Sequence, residues 1–259
     1  MVTRLWDRAS QLPVALDGRR RPEVFVLPPG LPTVDGLFTF MRDAELRFET
    51  LRMRIEETVA TTGGSQTLVI DTMLRHPADA KVTTTDPARG LVGNYEIWVS
   101  DGETVRTYSA THRLGTERPV RRSVVGLEDP DLPGMSTVYR PVTPLPTETL
   151  PETFVHPAGF CQNVLTTGRC WIAGSAEVRS REAITLECDH PRTIEIAGDR
   201  PDHHFQLTVD RETGVIVRLV ETIGGQVTRD AVVTSFLPDA PLPPAAFDFT
   251  FPTGTTLIY

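Results

Sequence analysis

The sequence predicts an α+β domain made mostly of antiparallel strands. Three observations carry this expectation: one amphipathic helix near the N-terminus, a succession of short segments with apolar residues at every second position, and turn residues between those segments. Strands alternating with helical segments are absent, so a doubly wound parallel sheet is not expected.

Thr33 or Asp35 can cap a helix whose apolar residues Leu37, Met41, Ala44, Phe48 and Leu51 fall at alternating four- and three-residue steps, on one face. At Leu51 the period switches to two, with Leu51, Met53 and Ile55 alternating against Arg52, Arg54 and Glu56. Gly63-Gly64 is a hairpin signal before the strand at 67–74, and His76-Pro77 with Asp79 marks the turn into a third strand at 80–85. Asp101-Gly102, a dipeptide tolerant of positive φ, joins two further strands at 94–100 and 104–110.

After Arg113 the period is lost until about residue 172, with prolines at 119, 130, 133, 141, 144, 146, 151 and 157. The stretch is not simply solvated, because it carries Met135, Tyr139, Phe154, Phe160, Val164, Leu165 and Trp171. Residues 115–172 read as a lid insertion with short helices; a segment that merely plugs the core is the alternative. From Ser175 strands return at 176–188, 192–198, 203–210, 214–223 and 226–236, and the close Phe247-Asp248-Phe249-Thr250-Phe251 alternates like a last short strand. Residues 1–32 read as an N-terminal surface arm and 33–259 as the domain.

A net charge of -8 repels a phosphate backbone, so nucleic acid is not an expected partner. The run Arg19-Arg20-Arg21 reads as a solvated turn. The first thirty residues lack an apolar stretch of about 7–15 residues and a small-residue cleavage site, so the expected location is cytoplasmic. No window approaches the ~20 apolar residues of a membrane span. Three cysteines, Cys161, Cys170 and Cys188, without a CxxC pair are not a zinc framework. Free buried thiols are the expected state, with Cys161 and Cys170 able to close a short loop in an oxidising compartment.

Asp202-His203-His204 is the densest histidine cluster, but successive strand residues point to opposite faces, so the two rings do not meet on one metal. Cys188-Asp189-His190 sits before Pro191 at a turn, whereas catalytic triads are assembled across a fold. No nucleophile elbow, phosphate-binding loop, dinucleotide fingerprint or HExxH motif occurs. No catalytic residue, metal or cofactor is expected.

Three features together resemble the LolA/LppX/RseB-type lipoprotein-carrier superfamily: the helix that feeds into antiparallel strands, the hairpin FQLTVDRETGVIVRLVET at 205–222 with its Asp-x-x-Thr-Gly turn, and the close PLPPAAFDFTFPTG at 241–254. The resemblance spans about residues 33–254 in outline, without a motif over 115–172. It implies a curved half-barrel of about ten or eleven antiparallel strands, with helices and the Pro-rich lid over the concave face. It also implies a hydrophobic groove for an apolar or amphipathic ligand such as a lipid or acyl chain. Candidate ligand-lining residues are Met53, Ile55, Leu68, Ile70, Trp98, Tyr108 and Trp171, with plain core packing the alternative for each. Two other roles stay open: a small cofactor-free enzyme, since a violacein-pathway enzyme has this fold, and a sensing or protein-interaction module like the family's anti-sigma-factor regulators. The family is usually exported, whereas this N-terminus shows no export signal.

Overall fold

The computed structural model describes residues 4–7, 12–15, 24–90, 93–120, 142–192 and 200–258. Arg4–Asp7 (β1) and Leu12–Ala15 (β2) pair antiparallel by themselves. Met135, Tyr139, the Arg19–Arg21 run and most of the strand expected at 192–198 lie outside the described residues.

Val34–Arg42 forms helix α1, where the Thr33 hydroxyl accepts a hydrogen bond from the Gly36 amide at 3.1 Å. The helix is shorter than the sequence pattern suggests. It stops at Asp43, one turn of 3₁₀-helix follows over Ala44–Arg47, and Phe48 is already extended. The apolar stripe survives this break: Leu37, Met41, Ala44, Phe48 and Leu51 are all buried.

Among the described residues twelve strands make one open, curved sheet. They are β3 Thr50–Thr61, β4 Gly64–Arg75, β5 Asp79–Thr85, β6 Tyr95–Asp101, β7 Thr104–Ser109, β8 Leu114–Pro119, β9 Arg169–Val178, β10 Arg181–Asp189, β11 His203–Asp210, β12 Ile216–Ile223, β13 Gln226–Pro238 and β14 Thr256–Ile258. Their spatial order is β14-β8-β7-β6-β5-β4-β3-β13-β12-β11-β10-β9, and the two edges do not pair with each other. Every ladder is antiparallel except the short β14–β8 pair. Short helices α2 (Leu150–Val155) and α3 (Ala158–Asn163) lie within the stretch 115–172.

Three further elements differ from the sequence reading. Strand β8 lies at the start of the stretch read as a lid; its sequence LGTERP lacks apolar alternation, and a Thr107–Thr116 hydroxyl pair at 2.7 Å helps hold it to β7. The run around 176–188 is two strands, because Arg179 and Ser180 both take positive φ (52° and 62°) and turn the chain without glycine. Residues 247–251 are not a strand. Their aromatics lie across the convex face, Phe249 and Phe251 packing their rings 6.1 and 6.5 Å from Tyr108. Gly115 is required there, since a Cβ would stand 2.5 Å from the Phe251 ring.

The main core lies between the concave face and α1–α3. It includes Leu51 and Ile55 of β3, Leu74 of β4, Ile184 and Leu186 of β10, Leu207 of β11, Phe154 of α2 and Leu165, all without accessible surface. A smaller core of Val99, Ala246 and Phe247, with Met73 and Ile97 against it, forms on the convex side.

Candidate binding surface

Strand register decides which side chains share the concave face. Met53 pairs with Thr72, Thr72 with Val82, Val82 with Trp98, and Trp98 with Thr107, so these five form one row across β3–β7. The next row holds Ile55, Ile70, Thr84, Glu96 and Ser109, and beyond it Glu57 stands opposite Leu68. Five of the seven candidates, Met53, Ile55, Leu68, Ile70 and Trp98, therefore face the concavity.

Tyr108 and Trp171 do not join them. Tyr108 pairs with Ile97, one residue out of phase with Trp98, and sits among Tyr95, Phe249 and Phe251 on the convex face. Trp171 pairs with Glu187 and also faces outward, 38% exposed, with its ring 6.1 Å from that of His204.

The concave face has a closed half and an open half. Over β3 and β10–β12 the inward residues have almost no accessible surface, so they meet neither solvent nor a water-sized void. Around β5–β8 the inward residues Thr84, Trp98, Thr107, Ser109 and Thr116 are half-buried, Glu96 is exposed, and Leu68 is half-buried beside them. Two hydroxyls on this face, Thr72 Oγ1 and Ser109 Oγ, are buried without a hydrogen-bond partner among the described residues. Each such orphan costs about 1–3 kcal/mol unless something supplies its bond.

A charged pair closes the row at Leu68. Glu57 is buried, with Oε1 3.1 Å from Arg229 Nε on β13. Burial pushes the Glu57 carboxyl above its ordinary value of 4.5, and the Arg229 charge pulls it part of the way back. A carboxyl whose value is raised by folding weakens the fold as pH climbs upward from that ordinary value, because the folded state holds the proton longer than the unfolded chain. Glu57→Gln is therefore expected to gain thermal stability relative to wild type between pH 4 and pH 7. A melting-temperature difference that stays constant over this range would contradict the assignment.

Clefts among the described residues lie away from the β5–β8 part of this face. One of about 250 Å³ lies between the β9–β10 turn and the end of β13, lined by Val178, Arg181, Asp210 and Phe236. Three of about 330–360 Å³ surround the β11–β12 turn and the N-terminal end of β3. None is lined by the seven candidates.

A buried polar cluster escaped the sequence reading. Glu45, fully buried, accepts from the Val142 amide at 2.8 Å and lies 3.1 Å from His156 Nδ1. His156 Nε2 donates to the Thr143 carbonyl at 2.9 Å, while His76 Nδ1 is 2.7 Å from the Thr143 hydroxyl and its ring stacks on Phe48. These side chains tie residues 142–143 and α2 to the 3₁₀ turn and to the β4–β5 connection. Positions 45, 76, 143 and 156 form no spacing motif, so only folding brings them together.

The adjacent histidines of β11 diverge: His203 is buried with Nε2 2.9 Å from Glu221 Oε1, and His204 points outward between Glu187 and Asp189. Likewise Cys188 faces inward while its neighbour Asp189 faces out to His204. Among the described residues no group of three or more His, Cys, Asp or Glu side chains is placed to hold a metal ion.

These features define a class of protein: an open antiparallel sheet whose helices fill half of its concavity. No family model matches the sequence, and no curated protein matches it. Solved structures do. An uncharacterized conserved protein from Thermus thermophilus is similar at 10% identity and a TM-score of 0.47, over 85% of this chain and 96% of its own. MucB in the Pseudomonas aeruginosa MucA/MucB complex is 16% identical at a TM-score of 0.46, over 83% of this chain but only 60% of its own, so this chain spans about three fifths of that protein. The Mycobacterium tuberculosis lipoprotein LppX is 10% identical at a TM-score of 0.42, over 81% of this chain and 98% of its own. At these identities the likenesses are of fold alone.

One expectation is corrected. Similar structures are described as a lipoprotein, a LolA-superfamily protein and an outer membrane lipoprotein-sorting domain, which conflicts with the cytoplasmic placement read from the N-terminus. That placement is withdrawn. No helix among the described residues is long and apolar enough to cross a membrane.

Proposed function

We propose that this chain binds an apolar or amphipathic molecule with an acyl-type tail on the open half of its concave face. The observation that carries the reading is Trp98, a large indole held half-buried on the inner face directly opposite Val82 of β5. Covering these groups favours binding at about 0.8 kcal/mol for each buried CH₂ of a ligand. The orphan hydroxyls of Thr72 and Ser109 and the Glu57–Arg229 pair give a polar head or ester its partners, so the surface suits an amphipathic ligand better than a plain hydrocarbon.

Saturable quenching of tryptophan fluorescence by a brominated fatty acid tests this. Quenching is expected in the wild type and in Trp171→Phe, and is expected to fall by more than half in Trp98→Phe. Equal quenching in both variants, or none in the wild type, would overturn the site. A protein-interaction role is the second reading, favoured by the solid packing of the other half of the concavity, which leaves no room there for a ligand.

A further inference from the structure

The three cysteines lie far closer together than their sequence spacing of nine and eighteen residues indicates. Cys170 on β9 and Cys188 on β10 are direct register partners, and both side chains turn to the concave side. Their thiols converge on one atom: Cys170 Sγ lies 3.1 Å and Cys188 Sγ 3.5 Å from the Leu165 carbonyl oxygen. All three cysteines are free thiols.

We propose that Cys170 and Cys188 are a redox-active dithiol that closes to a cross-strand disulfide, and that closure releases the Leu165 carbonyl. Directly opposed residues of an antiparallel pair have Cβ atoms about 4.5–5.5 Å apart, against about 3.8 Å in a disulfide. The remaining approach is small, and β9 is able to supply it because it is an edge strand with a neighbour on one side only. Cys161 is not the partner: it is buried on α3 beside Met41, its Sγ 3.9 Å from the Met41 sulfur, and burial pushes its thiol well above the ordinary value.

The two thiols have unequal roles. Cys170 is half-buried, so an external reagent reaches it, and a hydrogen bond from the Cys188 thiol holds its own thiol below the ordinary value. The same bond, with burial, raises Cys188. Thiolate is the attacking form, so Cys170 attacks first. With a small-molecule disulfide RSSR as the oxidant, the Cys170 thiolate displaces one RS⁻ and forms a mixed disulfide. Cys188 then loses its proton, attacks the Cys170 sulfur and displaces the second RS⁻. Two protein thiols lose two electrons and two protons, and RSSR becomes two RSH.

Closure has a local consequence. A disulfide sulfur carries no hydrogen, so no thiol can donate to Leu165 after closure, and among the described residues that carbonyl keeps the Gly168 amide at 3.1 Å. Leu165 opens the 3₁₀ turn Leu165–Thr167 between α3 and β9, so oxidation loosens the join between the helical region and the sheet edge.

The test treats the native full chain with glutathione disulfide, alkylates it and maps it by mass spectrometry, with hydrogen exchange on both forms. The expected product is one Cys170–Cys188 cross-linked peptide, with Cys161 alkylated only after unfolding. Exchange over residues 158–168 is expected to quicken several-fold in the oxidised form. In Cys188→Ser, checked for native circular dichroism, a stable glutathione adduct on Cys170 is expected, since nothing resolves it. A Cys161–Cys170 link, no thiol loss in the native chain, or unchanged exchange after closure would overturn the proposal.

Discussion

Phe154→Ala is expected to destabilise the chain by about 3–5 kcal/mol, read as a lower denaturant midpoint with an unchanged slope. The side chain has no accessible surface and lies in the same core as Leu51, Ile184 and Leu207. Its helix α2 has six residues, Leu150–Val155, too few to persist alone. Burial of Leu150, Phe154 and Val155 is what keeps it helical. The expected loss is a large part of the 5–15 kcal/mol that a typical domain has in total. The variant also separates the two meanings of the proline-rich stretch. A detachable lid would let Phe154 swing out at a cost below about 1 kcal/mol, visible only as faster local hydrogen exchange; a segment that completes the core would lower the global midpoint. The buried Glu45, His156 and Thr143 contacts beside it favour the second, since opening would strip polar groups of partners in the same step.

The fold was legible where local chemistry and global topology agree. Thr33 caps α1 because a hydroxyl before an apolar-periodic run has an unpaired amide to serve, and Leu51, Met53 and Ile55 alternate because β3 has one face on the core. The turn at Asp210–Gly214 and the Asp101-Gly102 hairpin needed only side-chain acceptors and positive φ. Legibility ended where tertiary partners supply the reason for an element. Strand β8 has no apolar alternation because the C-terminal aromatics cover its convex side. Arg179 and Ser180 turn the β9–β10 hairpin in a conformation usually signalled by glycine or asparagine.

The candidate surface was harder to read than the fold for a related reason. Alternation tells which residues of one strand share a face, but register must relate one strand to the next. With Ser100 opposite Val105, Trp98 meets Thr107 and Tyr108 falls on the other face; a one-residue change in the connection would have reversed this. Glu57 is a polar residue at an inward position of β3, in phase with Ile55. The cysteines follow the same logic, because only the register of β9 on β10 sets Cys170 opposite Cys188 rather than toward Cys161.

Asp210→Asn is expected to cost about 3 kcal/mol, through loss of charge without loss of volume. Asp210 has only 1% of its surface exposed, and Oδ1 accepts from the Thr213 amide at 2.8 Å, the Thr213 hydroxyl at 2.7 Å and Arg181 Nη2 at 3.1 Å. Oδ2 accepts from Arg181 Nε at 2.6 Å, which makes the guanidinium contact two-pronged and ties the β9–β10 hairpin to the β11–β12 turn. An amide in this place offers one acceptor where the carboxylate offers two, so a donor is left facing a donor whichever way the Asn is turned. The turn cannot relax far, because Gly214 takes φ 81° and its backbone is packed against Phe40 of α1, within 3.2 Å of where a Cβ would stand. Strain in this turn therefore reaches the helix that fills the concavity. Glu212→Gln is the matched comparison. Glu212 also contacts Arg181, at 2.7 Å, but its side chain is 78% exposed, so its loss should cost less than about 0.5 kcal/mol. Equal losses in the two variants, measured by denaturant unfolding, would mean that the buried acceptor geometry of Asp210 is not what holds the two hairpins together.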